Sequence, residues 1–226
     1  MNKSNWHEKA ATKWDYYADD WNASSEQMWE SGSRKTIVPF FQKYVENGSA
    51  VLDVACGDGY GSLKLAKNGY NVTATDISEK MIDLAKKSDK ESNVHFIRGD
   101  MIHMPFEDGQ FDAVMVINGI EWTEHPLNAL NELKRVVKEG GYLCAAILGP
   151  TAHPRKNSYD RLYGRQAIMN TMMPWEFMSL SEENGWKIID HEGVMKRGVT
   201  EEMMKNLPLQ LNQALSFMWV FMLQKM

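Results

Sequence analysis

Cys56 and Cys144 are the two cysteines in 226 residues. No disulfide framework can hold such a chain, and a reducing cytosol is its expected setting. Long apolar runs are missing as well. No stretch approaches the roughly 20 apolar residues of a membrane span. The opening MNKSNWHEKAATKWDYYADDWN is polar, aromatic and acidic, unlike a signal peptide. Basic charge is in deficit: 25 Lys and Arg against 30 Asp and Glu leave a formal charge of -5. That excludes a global positive field for nucleic acid but leaves a local basic patch open. No His/Cys spacing suggests zinc. No fixed-period repeat or low-complexity tract is present. Neither a nucleic-acid nor a membrane partner is expected.

What remains is ordinary globular material, 43% hydrophobic and 24% charged. A chain of this length buries roughly 70% of its unfolded surface without a metal or disulfide staple. Through residues 36–148 two periods alternate. Short apolar runs predict strands at Ala50–Val54, Val72–Thr75, Val94–Ile97, Phe111–Ile117 and Tyr142–Leu148. Helical spacing fills Ser62–Asn68, Ser78–Lys87 and Leu127–Val137. Ser78 predicts an N-cap, with Lys86 and Lys87 near the negative helix end. Gly48-Ser49, Asn68-Gly69, Glu107-Asp108-Gly109 and Glu139-Gly140-Gly141 read as turns. Such alternation predicts a parallel sheet covered on both faces.

The flanks differ. Residues 1–35 predict a helical lead-in with Trp6, Trp14, Tyr17 and Trp21 near one face. Residues 149–226 predict a cap segment, a helix at Pro174–Asn184, a strand at Trp186–His191, a helix near Glu201–Gln213 and a strand at Ser216–Gln224. In the last strand Phe217, Trp219, Phe221 and Leu223 alternate with Met218, Val220 and Met222. Both faces being apolar, it belongs inside a sheet.

The strongest local signal is Val51-Leu52-Asp53-Val54-Ala55-Cys56-Gly57-Asp58-Gly59-Tyr60-Gly61. A buried strand enters a glycine-rich turn and a helix follows. Glycine lets backbone approach a ligand, and the helix start offers free N–H groups. Alone, such a turn is weak evidence, because a tight strand–helix connection also uses one. Asp76 ends the next strand, where a carboxylate can accept from a ribose diol. Asp53 sits before the turn, and a buried carboxylate requires a partner. Asp100 and Met101 follow the third strand, placed for an adenine edge and ring. The glycine spacing departs from the dinucleotide pattern G-x-G-x-x-G, and Asp58 would repel a pyrophosphate.

The motifs VLDVACGDG, VTATDIS, FIRGDMIHMPFEDGQFDAVMVING and ELKRVVKEGGYL resemble, in order and spacing, the class I S-adenosylmethionine-dependent methyltransferases. The similarity is greatest to the small-molecule branch that includes quinone-biosynthesis enzymes. The resemblance covers residues 36–148 and implies a Rossmann-like, doubly wound α/β fold. Its seven-stranded sheet would be mostly parallel, the last strand antiparallel, with a small helical cap, all in one domain over 1–226. It implies S-adenosylmethionine as cofactor and S-adenosylhomocysteine as product. It places Asp53 and Gly57 to Gly59 at the methionine part, Asp76 on both ribose hydroxyls and Ile77 on the adenine. Asp100 would accept from the adenine amino group beside Met101, and Asn118 and Gly119 would present backbone to the amino-acid end. Ala55 stands where this family more often has glycine, tightening the turn.

Methyl transfer from a sulfonium mainly needs two reactants positioned and water excluded. A base matters only for a protonated acceptor. The candidates follow the fourth strand. His125 either takes a proton or helps start a helix before Pro126. Glu121 either binds acceptor or is a solvated loop acid. Trp122 either walls the acceptor pocket or covers core. Arg34 either holds the cofactor carboxylate through a bidentate pair or is solvated. Tyr17 and Trp21 either form a lid or a packing stripe. Met169, Met172, Met173 and Met178 either mould around an acceptor or fill core and a homodimer face. Arg155, Lys156, Arg161 and Arg165 either attract an acidic acceptor or form a solvated face. Two alternatives stay open: a tRNA- or protein-modifying methyltransferase, and a non-catalytic cofactor-binding protein of the same fold.

Overall fold

Short β-branched runs separated by amphipathic segments leave each strand two faces to bury, and one sheet with helices on both sides does so. A computed structural model describes residues 6–226 except Ser92. A long helix α1 (Trp6–Glu30) and a short α2 (Ile37–Phe41) lead into β1 (Ala50–Val54) and α3 (Tyr60–Lys67). Then come β2 (Asn71–Asp76), α4 (Glu79–Ser88), β3 (Val94–Arg98), β4 (Phe111–Ile117), α5 (Pro126–Val136) and β5 (Val137–Leu148). A 3-10 segment (His153–Tyr163), α6 (Pro174–Glu183), β6 (Trp186–Met195), α7 (Glu201–Met204), α8 (Leu209–Ala214) and β7 (Ser216–Lys225) complete the chain.

The sheet order is β3-β2-β1-β4-β5-β7-β6. Pairs from β3 to β5 are parallel, and β7 runs antiparallel to both β5 and β6. Strand order reverses between β1 and β4, where the connections leave on opposite faces and a crevice opens at the strand carboxyl ends.

The alternation of β7 divides the core. Met218, Val220 and Met222 join α2, α3 and α4 on one face. Trp219, Phe221 and Leu223 join α5 and α6 on the other. Ser78 caps α4 by accepting from the Met81 N–H at 3.1 Å, with Lys86 and Lys87 in the last turn.

Two local expectations change, and the core-filling alternative holds for part of the Met-rich cap. The predicted helix over Glu201–Gln213 is two short helices, because Pro208 removes an N–H and disfavours helix before it. The Gly140-Gly141 turn lies inside β5, where Gly140 has φ 72° and the register to β4 shifts between Phe111 and Ala113. Met169 and Met172 of the cap are buried, and Met218 and Met222 fill core.

α1 crosses the sheet's carboxyl edge and packs its last turns on α3. A Cβ on Gly61 would stand 2.4 Å from the Trp29 ring. Gly61→Ala therefore forces a rigid indole off its seat. We expect a loss of about 1–3 kcal/mol in denaturant unfolding, the usual cost of overpacking, and none of it should appear if α1 docks loosely.

Candidate active site

The crevice beyond β1, β2, β3 and β4 holds about 680 Å³ of empty space, including its open mouth. Ala55 and Gly57 form its wall after β1, Thr75, Asp76 and Ile77 after β2, and Asp100 and Met101 after β3. Ile117, Asn118 and Gly119 follow from β4. The roof is α1, through His7, Ala10, Trp14 and Trp21, joined by Trp122 and Thr123.

Asp76 is 8% exposed. One carboxylate oxygen accepts from the Gly57 N–H and the other from the Ser78 N–H, both at 2.9 Å. Burial pushes its pKa up to about 6, against the pull of those N–H groups. Each oxygen keeps a lone pair for a ligand. Thr75 Oγ1 is buried without a partner among the described residues.

The turn after β1 takes left-handed backbone at Ala55 (φ 56°), Gly57 (φ 57°) and Gly59 (φ 78°). Ala55 manages this with a Cβ, and space is made for it opposite. A Cβ on Gly119 would lie 2.7 Å from that of Ala55. Gly59 starts α3 and does not line the crevice; a side chain there would meet Phe96. Asp53 also lies behind the wall, 3% exposed, accepting from Ser62 Oγ at 2.6 Å. Burial raises it to about 7, with Asp76 adding to the rise and Ser62 opposing it. Burial, with Asp76, Asp53 and Asp58 adding to it, pushes the Cys56 thiol well up.

Five polar contacts fasten α1 over the crevice, each to a site element. His7 pairs with Asp100 at 2.7 Å, a contact that raises the imidazole pKa. Asp15 accepts from Ser78 Oγ at 2.5 Å. Asp58, in the glycine-rich turn, accepts from Ser25 Oγ and Asn22 Nδ2, both at 2.8 Å. Trp6 Nε1 donates to the Trp122 carbonyl at 2.7 Å. None of these pairings carries a local sequence signal, since the partners stand far apart in the chain. The lid reading of the aromatic stripe divides accordingly. Trp21 lines the crevice and touches Trp14 at 5.3 Å, and Trp14 touches Trp122 at 4.9 Å. Tyr17 does not line it; its ring is exposed and meets Trp14 edge-on from outside.

Arg34 is buried behind Trp21, its guanidinium 4.8 Å from that ring. It donates to Asn118 Oδ1 at 3.4 Å and lies 3.1 Å from Met28 Sδ. Burial lowers its pKa to about 10, with Asp58 and Glu121 acting the other way, so it stays a cation at neutral pH.

The base candidates stand elsewhere. His125 is exposed at the N-cap of α5, makes no capping bond and faces a separate shallow hollow with Glu176 and Leu180. Glu121 is wholly buried rather than solvated, and accepts from the Leu148 N–H at 2.7 Å. Burial raises its pKa, while the Leu148 N–H and Arg155 hold it down. The basic stretch splits too. Arg155 is buried and donates to the carbonyls of Leu148, Gly149, Thr171 and Met172. Lys156, Arg161 and Arg165 are exposed. Asn170, which the sequence does not single out, ties the 120–123 turn down through the carbonyls of Ile120 and Thr123. Among the described residues no group of three or more His, Cys, Asp or Glu is placed to hold a metal.

A family model described as a methyltransferase domain matches residues 52–145. The demethylmenaquinone methyltransferase of Staphylococcus haemolyticus is 37% identical over 126 residues, covering 53% of this chain and 52% of that protein. Residues 52–145 thus form a methyltransferase-family domain. An uncharacterized methyltransferase of Schizosaccharomyces pombe is 31% identical over 170 residues, 69% of this chain and 61% of its own. The chain spans about half the length of the curated relatives it matches. Among solved structures, a putative Haloferax volcanii methyltransferase in complex with the Trm112 activator superposes with TM-score 0.73 at 18% identity. That match covers 94% of this chain and 97% of the other. The cyclase SpnF superposes with TM-score 0.65 at 18% identity over 87% and 81%. The methyltransferase fold thus serves more than one chemistry, and the reaction has to be argued from the site. The family's cofactor, S-adenosylmethionine, is the ligand against which the crevice is to be judged.

Asp53 offers a test of the electrostatics. An unfolded aspartate titrates near 4, and the folded one near 7. The folded state holds this proton more tightly, so raising pH from about 4 to 7 costs stability, and the whole cost is present above pH 7. Asp53→Asn keeps an acceptor for Ser62 without the charge. Its melting temperature should exceed the parent's by several degrees at about pH 8, with the gap closing toward about pH 4. An equal gap at both ends would show that Asp53 is not held protonated by burial.

Proposed function

We propose that this chain transfers a methyl group from S-adenosylmethionine to a small-molecule acceptor by in-line displacement. One observation carries the reading: Asp76 stands in the crevice wall at the end of β2, with both carboxylate oxygens already oriented by the Gly57 and Ser78 N–H groups. That is the geometry a ribose diol requires.

The residues present fit the cofactor. Thr75 Oγ1 is an orphaned polar atom in the wall. The Gly57 position is a cradle that a Cβ would fill, since it would meet Trp21 Nε1 at 3.0 Å. When bound, the cofactor supplies an electrophilic methyl group and a neutral thioether as leaving group. Asp76 accepts from the ribose hydroxyls, Ile77 packs on the adenine, and Asp100 beside Met101 accepts from the adenine amino group. Ala55, Gly57 and Asn118 line the methionine end, with Gly59 and Asp53 supporting that wall from behind. Arg34, a buried cation with donors to spare, holds the carboxylate once its weak bond to Asn118 yields. α1 and the three tryptophans exclude water from the reacting centre.

Among the described residues the titratable side chains in the wall are His7, Asp76 and Asp100, and this reading assigns all three to the nucleoside end or the lid. An acceptor that presents its own lone pair or carbanion at working pH needs no base from them. The relatives named demethylmenaquinone methyltransferases support a small-molecule acceptor.

Calorimetric titration of S-adenosylhomocysteine, with NADH as control, tests the site. Binding of the first alone is expected. Asp76→Ala should weaken it by roughly 5- to 150-fold, about 1–3 kcal/mol. NADH binding without S-adenosylhomocysteine binding would overturn the assignment.

A further inference from the structure

One part of the cap has no task in the crevice. Tyr159 to Gln166 are eight consecutive exposed residues. Three are large and apolar: Tyr159 is 57% exposed, Leu162 65% and Tyr163 63%. They form a patch rather than scattered points. The rings of Tyr159 and Tyr163 lie 5.7 Å apart, and the Arg165 guanidinium covers Tyr163 at 5.3 Å. A monomer gains nothing from holding such side chains in water.

The loop is held out, not loose. Arg155 binds the carbonyls of Leu148 and Gly149 where the chain enters and those of Thr171 and Met172 where it leaves. Ile168 seats the base of the loop against Trp6, Ala10 and Trp122. The protrusion thus rises beside the roof of the crevice. Its charge is the reverse of the chain's: Lys156, Arg161 and Arg165 are exposed around it, and its one carboxylate, Asp160, is paired with Arg165 at 3.6 Å. α1 adds Lys9, which donates to Gln166, and Lys13, which lies near enough to Asp160 to feel its charge.

We propose that this protrusion docks on an anionic lipid bilayer surface, with Tyr159, Leu162 and Tyr163 entering the headgroup layer and Lys156, Arg161 and Arg165 on the phosphates. Tyrosine is favoured at that depth, where its ring is half wet. Peripheral binding needs two signals together, apolar insertion and positive charge, and both are built here on one rigid loop. Among the described residues no helix is long and apolar enough to cross a membrane, but docking on a surface needs none.

The test is vesicle flotation of the intact protein. Phosphatidylcholine vesicles with about 30% phosphatidylglycerol are compared with pure phosphatidylcholine. Binding to the anionic vesicles should exceed that to neutral ones by at least about tenfold and fall at about 0.5 M salt. Both Tyr159→Ser/Leu162→Ser/Tyr163→Ser and Arg161→Glu/Arg165→Glu should lose it by about tenfold or more. Unchanged circular dichroism and S-adenosylhomocysteine binding would show that the variants fold. No binding to anionic vesicles, or binding that ignores either variant or the lipid charge, overturns the proposal. A dimer broken by the serine variant, without vesicle binding, overturns it in favour of a protein contact.

Discussion

The hydrogen bond from the Gly57 N–H to Asp76 joins the two loops on which the crevice depends. It reaches from the turn after β1 to the end of β2 and fixes both at once. The turn can present its N–H there because Ala55 and Gly57 take left-handed backbone. The carboxylate can stay in place because Ser78, itself the cap of α4, donates to its other oxygen. A helix cap, a strand end and a glycine turn therefore share one acid. The cost is a buried carboxylate whose pKa rises to about 6. Such a strained charge is what a binding site keeps when a ligand is to relieve it.

The roof follows from the same turn. Asp58 accepts from both Ser25 and Asn22, so the segment that shapes the crevice floor also anchors α1. His7 reaches Asp100 at the other end, and Asp15 meets Ser78 between them. Trp6 meets the Trp122 carbonyl after β4, so side chains tie the helix directly to four crevice-forming loops. Its aromatic residues are thereby set as a wall, with Trp14 between Trp21 and Trp122. Closure over the crevice is a property of these pairs more than of apolar packing, because much of α1 is polar and exposed.

The strands were legible because each depends on a local period. Ala50–Val54 and Phe111–Ile117 have the boundaries that their apolar runs predict, and the two-faced pattern of β7 announces an interior strand. The crevice loops were legible for a related reason, since glycine and a carboxylate must stand at fixed offsets from strand ends. Where three-dimensional neighbours decide, the sequence is mute. Nothing near His7 points to Asp100, 93 residues on. Arg155 reads as one more cation in a basic stretch, yet it is buried on four carbonyls contributed by two distant segments. Tyr17 and Trp21 share a stripe by spacing, but a helix lying across a curved edge buries only part of a stripe. Pro208 was the one breaker whose effect was local and could have been read.

Ala55 and Gly119 show how a departure from a family pattern is absorbed. A left-handed alanine costs about 1–2 kcal/mol relative to an ordinary conformation, and its methyl group must go somewhere. It goes against the backbone of the loop after β4, where a Cβ on Gly119 would come within 2.7 Å. Gly119 also precedes the 120–122 turn, which carries Glu121 into the core and Trp122 onto the roof. The side chain present at Ala55 therefore constrains the loop after β4, although the two residues stand at different strands' ends. The methyl group narrows the crevice, and the missing side chain at Gly119 leaves it room.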